Sequence, residues 1–207
     1  MIPISDFIAI LPVFFEHQKD LLPWDLTKNL SVFLQEIIPG LGDEYILEDG
    51  IAIHRTAIVE KGTTLKPPII ICENTFVGAN TYLRGGVFLD QSVTIGPNCE
   101  IKTSIICSGS AIAHFNFIGD SIIGHHVNFE AGSLTANYHN DRTEKKIYVF
   151  YKSTVIYTGA NKLGSLVGDN SKIGANAVLT PGTVLTPGSI VKRLELIDQQ
   201  KDNFNIR

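Results

Sequence analysis

Arg84 and Lys102 are the residues whose type and spacing most plainly suggest chemistry. Each follows an aliphatic residue, Leu83 and Ile101, and 18 residues separate them. If 18 residues make one turn of a coil, the two cations stack on neighbouring strands about 4.8 Å apart. Two positive charges that close repel unless a carboxylate or a bound anion lies between them. Asp120, a further coil on, would make the pair a salt-bridge ladder, whereas a phosphate would make it an anion site; both readings stay open. His114, between Ala113 and Phe115, is of the residue type suited to general-base work, or it is structural. The amides of Asn128 and Asn137, with Tyr138, either orient a polar ligand or fill corners. His125 and His126 read as ordinary corner residues, and no set of spacings matches a zinc site, so no metal is expected.

Stacking of this kind needs a chain that returns on itself, and residues 53–101 predict one. Ile53, Val59, Leu65, Ile71, Val77, Leu83, Leu89, Ile95 and Ile101 fall at every sixth position. An α-helix repeats its apolar face at 3.6 residues and a strand at 2, so neither explains six. Gly62, Asn74, Asn80, Gly86 and Asn98 stand three residues after an aliphatic, where a corner needs positive φ. Three such hexads close a triangular coil, and stacked coils lay parallel strands on three faces. The expected fold is all-β: a left-handed parallel β-helix of hexapeptide repeats with a short helical N-terminal segment.

Residues 1–49 lack the period. Residues 4–15 and 25–38 read as two short helices, the second N-capped by Asp25 or Thr27 and ended by Pro39-Gly40. Residues 41–50 are a connector, and the whole segment is expected to cap the open strand edges of the first coil. Coils then occupy 50–192. Their register shortens by one residue after Ile101 and again before Ile123, which marks 113–138 as an irregular zone. Residues 139–164 break the pattern, with 147–151 and 154–158 as an extruded hairpin. Val167, Ile173, Leu179, Leu185 and Val191 restore the period, and 193–207 read as a short polar helical tail.

Composition narrows the partners. A net charge of −4 argues against nonspecific nucleic-acid binding and against a basic membrane-surface protein. No apolar run reaches the roughly 20 residues of a membrane span. The apolar start, 1–16, lacks a basic region and a small-residue cleavage site, so it is not expected to be a signal peptide. Cys72, Cys99 and Cys107 read as buried free thiols, consistent with a cytoplasmic protein.

The motifs around these residues resemble a known family. Thr81-Tyr-Leu-Arg84, Asn98-Cys-Glu-Ile-Lys102, Ala113-His114 through Gly119-Asp120, and Val127-Asn128 through Ala131-Gly132 to Asn137-Tyr138 are similar to the acetyltransferase domain of the bifunctional UDP-N-acetylglucosamine synthesis enzymes. Lys162-Leu-Gly164 and Pro23-Trp24-Asp25-Leu26 resemble the archaeal sugar-1-phosphate nucleotidylyltransferase/acetyltransferase branch. The resemblance implies a homotrimer with sites between subunits, and transfer from acetyl-CoA to the amine of a hexosamine 1-phosphate, usually glucosamine 1-phosphate. It implies that Arg84 and Lys102 hold the sugar phosphate, that His114 is the base and that Asn128 orients the sugar. Asn137 and Tyr138 would lie near the sugar and the thioester, with Lys162, Lys192 and Arg193 as contacts for CoA phosphates.

The family's nucleotidyltransferase domain has no counterpart in this sequence, so a separate nucleotidyltransferase is an implied partner. Phe117 stands where the family has a substrate-contacting tyrosine, and Glu130 replaces a glycine. Those two changes leave open an acyltransferase for another amino sugar or nucleotide sugar. A non-catalytic trimeric paralogue that binds a sugar phosphate is the third reading.

Overall fold

The computed structural model describes residues 2–200, and short parallel strands make up most of it. The hexad aliphatics Ile71, Val77, Leu83, Leu89, Ile95 and Ile101 are all fully buried. Gly62, Asn74, Asn80, Gly86 and Asn98 all take positive φ. Each is therefore a corner chosen for its conformation, and the chain winds as the left-handed parallel β-helix that the hexads predict. Each coil crosses a first face (Ile69–Ile71), a second face (Phe76–Val77) and a third face (the start of Tyr82–Leu89). Tyr82–Leu89 and Glu100–Ile106 run unbroken round the third corner. The third and first faces are thereby joined in one 13-stranded sheet, and the second face is a seven-stranded sheet of its own.

The N-terminal segment departs from expectation in both form and place. The helix spans Pro23–Ile37 with Leu22 as N-cap, because proline at the first helical position has its φ already set. Thr27, expected as a cap, instead turns its hydroxyl onto the carbonyls of Pro23 and Trp24. The helix expected over 4–15 is two 3-10 turns, Ile4–Asp6 and Val13–Gln18, because Pro3 and Pro12 hold extended backbone before each. Nor do its helical parts cover the open end of the solenoid. They lie along the outside of the first face, where Ala52, Ile70, Phe88, Ile105, Ile122, Leu166 and Val184 form an outward apolar ladder. All seven are buried in one cluster with Phe7, Phe15, Trp24, Leu30 and Leu34. The ring of Phe88 meets those of Phe14 and Phe15 at 5.5 and 5.0 Å. Gly86 makes the approach possible: its φ is +90°, and a Cβ there would sit 3.0 Å from the Ser31 nitrogen. The first coil's edge is closed by the connector itself, whose strand Tyr45–Glu48 pairs antiparallel with Ile51–His54.

Both register slips fall at the third corner. Gly85 and Gly86 separate Arg84 from Val87, whereas Thr103 alone separates their partners Lys102 and Ser104. The 139–164 excursion leaves from this same corner. Its hairpin forms, Tyr148–Tyr151 against Thr154–Tyr157. Rather than standing free, it folds back so that Ile147, Val149 and Leu163 join the cluster under the N-terminal segment. At the far end, Leu196–Ile197 pairs with Val178–Leu179, so a further strand replaces the start of the expected helical tail. The remainder of that tail, 201–207, lies outside the described residues. Cys72, Cys99 and Cys107 are free and buried. Among the described residues no helix is long and apolar enough to cross a membrane, and no cluster has the makings of a metal site.

The N-terminal segment is latched at the first corner. Asp169, 8% exposed, accepts the Ala9 and His125 backbone amides at 2.9 and 2.7 Å. His125 Nε2 donates to the Ile10 carbonyl at 2.7 Å, so the hydroxyl of Ser108, also at 2.7 Å, faces Nδ1 as donor. Asp169→Ala strips two amides of a charged acceptor and should cost about 2–4 kcal/mol. Urea unfolding measures the loss, and amide exchange should quicken first over residues 2–15. A loss below about 0.5 kcal/mol would show that the apolar ladder alone holds the segment.

Candidate active site

The third corner assembles a compact charged cluster. Arg84 and Lys102 are direct cross-strand partners, and Lys102 in turn faces Gly119. Each cation has a carboxylate. Arg84 binds Glu100 through Nε at 2.7 Å and through Nη2 at 2.6 Å, with the guanidinium 5.8 Å from the centre of the Tyr82 ring. Lys102 Nζ lies 2.9 and 2.6 Å from the two oxygens of Asp120, and Asn137 Nδ2 donates to the same carboxylate. The two pairs differ in exposure: the Arg84 and Glu100 side chains are 38% and 34% exposed, those of Lys102 and Asp120 only 13% and 10%. Solvent screens the first pair strongly and the second much less.

Buried hydroxyls fix the backbone beneath these groups. Ser104 Oγ donates to the Lys102 carbonyl at 2.8 Å and accepts the Ser121 amide at 3.0 Å. Thr135 replaces the inward aliphatic of its coil, and its Oγ1 accepts the Gly119 amide at 3.0 Å. Ser121 Oγ lies 3.0 Å from that same oxygen and accepts the amide of Ser165, where the chain re-enters after the excursion. The interior beneath the site is therefore polar, and each of these three hydroxyls is paired.

The other singled-out residues lie apart within one chain. His114 is exposed at the second corner, at the opposite edge of the third face, with its ring 5.5 Å from that of Phe115. His114 and Gly119 are five residues apart, so their Cα atoms are separated by at most about 18 Å. Phe117 stands between them, facing outward from the third face beside Glu100 and Leu134. Asn128 is on the second face between Ala111 and Lys172. It shares a cleft of about 490 Å³ with Glu130, Lys172, Ile190, Lys192 and Arg193. Tyr138 and Lys162 are exposed within the excursion, the Tyr138 ring 5.0 Å from Lys145 Nζ. A further cleft of about 660 Å³ lies at the first corner under the N-terminal latch and touches none of Arg84, Lys102, His114, Asn128 and Asn137.

Comparison with known proteins follows these motifs. The family model described as the GMPPB C-terminal domain matches residues 47–139. The bifunctional sugar-1-phosphate nucleotidylyltransferase/acetyltransferase of Sulfurisphaera tokodaii is 34% identical over 151 residues, 70% of this chain and 37% of that protein. The bifunctional protein GlmU of Methanococcus vannielii is 32% identical over 156 residues, 72% of this chain and 36% of that protein. The β-helix is similar to a part of these bifunctional proteins. The chain thus spans little more than a third of the relatives it matches. Among solved structures, the acetyltransferase domain of PglB from Neisseria gonorrhoeae shares 15% identity at a TM-score of 0.44, covering 80% of this chain and 68% of that one; at that distance it supports no inference.

Sequence reasoning passed over three residues. Glu100 occupies the alternate outward position of the Lys102 strand, a signal that strand periodicity already contained. Lys172 precedes the inward Ile173 just as Lys102 follows Ile101, and it adds a cation to the second-face cleft. Phe115 is 66% exposed with a φ of +59°, a conformation that is costly for a bulky residue.

Glu130 has a partner that its exchange for glycine did not foretell. It accepts Nε and Nη2 of Arg193, both at 2.7 Å, and the Ala175 amide at 2.8 Å. The Arg193 hydrogen bonds come first among the causes that lower its carboxyl to about 2. A carboxyl held below its ordinary 4.5 stabilises the folded chain above that value, and the contribution disappears as pH falls through about 2. Glu130→Gln should therefore lower Tm slightly at pH 7, with the difference closing as the pH drops below 4.5. A pH-independent difference in a series of melts would show that the ion pair is not its source.

Proposed function

We propose that the protein is an acetyl-CoA-dependent N-acetyltransferase whose acceptor is a hexosamine 1-phosphate, with glucosamine 1-phosphate as the first candidate. The supporting observation is the stacking of Arg84 on Lys102 at the third corner, within reach of Asn137, in a chain similar to part of a bifunctional nucleotidylyltransferase/acetyltransferase. Arg84 and Lys102 bind the acceptor phosphate, the guanidinium as a fork and the ammonium as a point charge. His114 takes a proton from the substrate ammonium, and the free amine attacks the thioester carbonyl. A carbon–nitrogen bond forms, the carbon–sulfur bond breaks, and CoA leaves as the thiol. Asn128 orients the sugar, while Asn137 and Tyr138 face the reacting amine and thioester. CoA lies along the second-face cleft, its phosphates against Lys172, Lys192 and Arg193, with Lys162 as a further contact.

The reading requires more than one copy of the chain. The N-terminal segment covers the first face, while residues of the second and third faces such as Ile58, Ile190, Leu196 and Phe115 remain 60–73% exposed. A homotrimer that packs these faces together would bring His114 of one copy towards the charged corner of another. Such a reaction belongs in the cytoplasm, where acetyl-CoA is available. Phe117 lacks the hydroxyl of the family's tyrosine, so a different amino sugar or nucleotide sugar is the reading to test next.

Thiol release from acetyl-CoA with glucosamine 1-phosphate provides the test. Native protein should turn over, and His114→Ala should lose about 10²–10⁴-fold in kcat while its sedimentation as a trimer stays unchanged. Activity within threefold of native in the variant would remove His114 as the base. Turnover only with other amino sugars would move the acceptor assignment, and no turnover with any would sink the transferase reading.

A further inference from the structure

We propose that Asp120 is a positioning residue that selects for an amine on the acceptor, an inference resting on the acetyl-transfer reading above. A carboxylate only accepts hydrogen bonds, so its contact with Asn137 settles which way that amide faces. Nδ2 points to Asp120, and Oδ1 is left outward with no hydrogen-bond partner among the described residues. Asn137 is therefore presented as an acceptor, suited to an N–H of the substrate ammonium or amine rather than to a phosphate oxygen. Lys102 is oriented by the same carboxylate. Asp120 takes two contacts from Nζ, and Thr103 Oγ1 lies 3.2 Å from it, which leaves the ammonium little freedom.

The carboxylate cannot readily move to accommodate another arrangement. Its residue is 7% exposed, at a φ of +47° that aspartate tolerates better than most residues. Its amide donates to the Lys102 carbonyl at 2.8 Å, and its carbonyl accepts the Gly164 amide at 2.9 Å. One rigid corner thus separates two tasks: Lys102 faces the anion and Asn137 faces the nitrogen. Gly119 leaves room for the second. A Cβ there would stand 2.8 Å from Asn137 Nδ2 and 2.6 Å from Phe117 Cζ. Gly119→Ala should displace the amide while sparing the Lys102–Asp120 pair.

The experiment compares binding of glucosamine 1-phosphate and glucose 1-phosphate by calorimetry, beside thiol release, in native protein, Asp120→Asn and Gly119→Ala. Native protein should favour the amino sugar by about tenfold, because the charge-assisted bond that a substrate ammonium donates to Asn137 Oδ1 is roughly twice as strong as the neutral one that the glucose 2-hydroxyl donates. Gly119→Ala should retain glucose 1-phosphate binding, Asp120→Asn should weaken it because Lys102 loses the carboxylate that orients it, and in both variants the preference should fall to about twofold. If Asp120→Asn does not fold, Gly119→Ala decides alone. A preference that survives in a folded variant, or that is absent from the native protein, overturns the proposal. Preference without any acetyl transfer would overturn the proposed function while leaving the role of Asp120 standing.

Discussion

A solenoid depends on each coil closing in register with the one before, because every backbone hydrogen bond between coils runs to the neighbouring turn. Side chains point inward or outward with a period of two, so a single unrepaired slip would turn a buried aliphatic out into water. The third corner is where this chain breaks the constraint and restores it. Gly85 and Gly86 take up one extra residue against Thr103, and the ladder resumes with Val87 opposite Ser104. Asp120 and Ser121 keep the shortened form in the next coil, so Ile122 meets Ile105 correctly. The long excursion then leaves from the corner already irregular, where one more departure disturbs no intact ladder. The charged cluster sits there for the same reason: side chains along a regular face can only stack in rows, whereas a shortened corner turns Asp120 beneath Lys102 and within reach of Asn137.

What the sequence made legible follows from which features are periodic. Nine aliphatics at a spacing of six, with Gly and Asn at the corners, were enough to read the solenoid and to place Arg84 opposite Lys102. The place of the N-terminal segment had a signal that went unread. First-face strands are apolar in consecutive residues, as in Ile69-Ile70-Ile71 and Val87-Phe88-Leu89, whereas the second face alternates, as in Thr94-Ile95 and Asn128-Phe129. Consecutive apolar residues mark a strand covered on both sides, and the row of Ile70 and Phe88 is the surface that Phe14, Phe15 and Leu30 bury. The 3-10 turns were harder, since local apolar content resembles a helix and only the prolines oppose it. The pairing of Glu130 with Arg193 joins residues 63 positions apart across a corner, and no local pattern reports such a contact.

The difference between the two ion pairs bears on how an anion could enter this corner at all. As the chain stands, Arg84 with Glu100 and Lys102 with Asp120 sum to no net charge, so a phosphate is not drawn to two free cations. It must compete with carboxylates. An ion pair more than a third exposed is worth little, typically below about 1 kcal/mol, because water and salt already screen it. Arg84 can therefore exchange Glu100 for a phosphate oxygen at small cost. Lys102 is another matter: separating a well-buried pair leaves an uncompensated charge, at a cost of about 3–5 kcal/mol. Lys102 thus stays on Asp120 and offers a phosphate only the donor that Asp120 and Thr103 leave it. Arg84 is then the adaptable arm of the corner and Lys102 its fixed point. Glu100, once released, becomes an acceptor for the hydroxyls of whatever the phosphate brings with it.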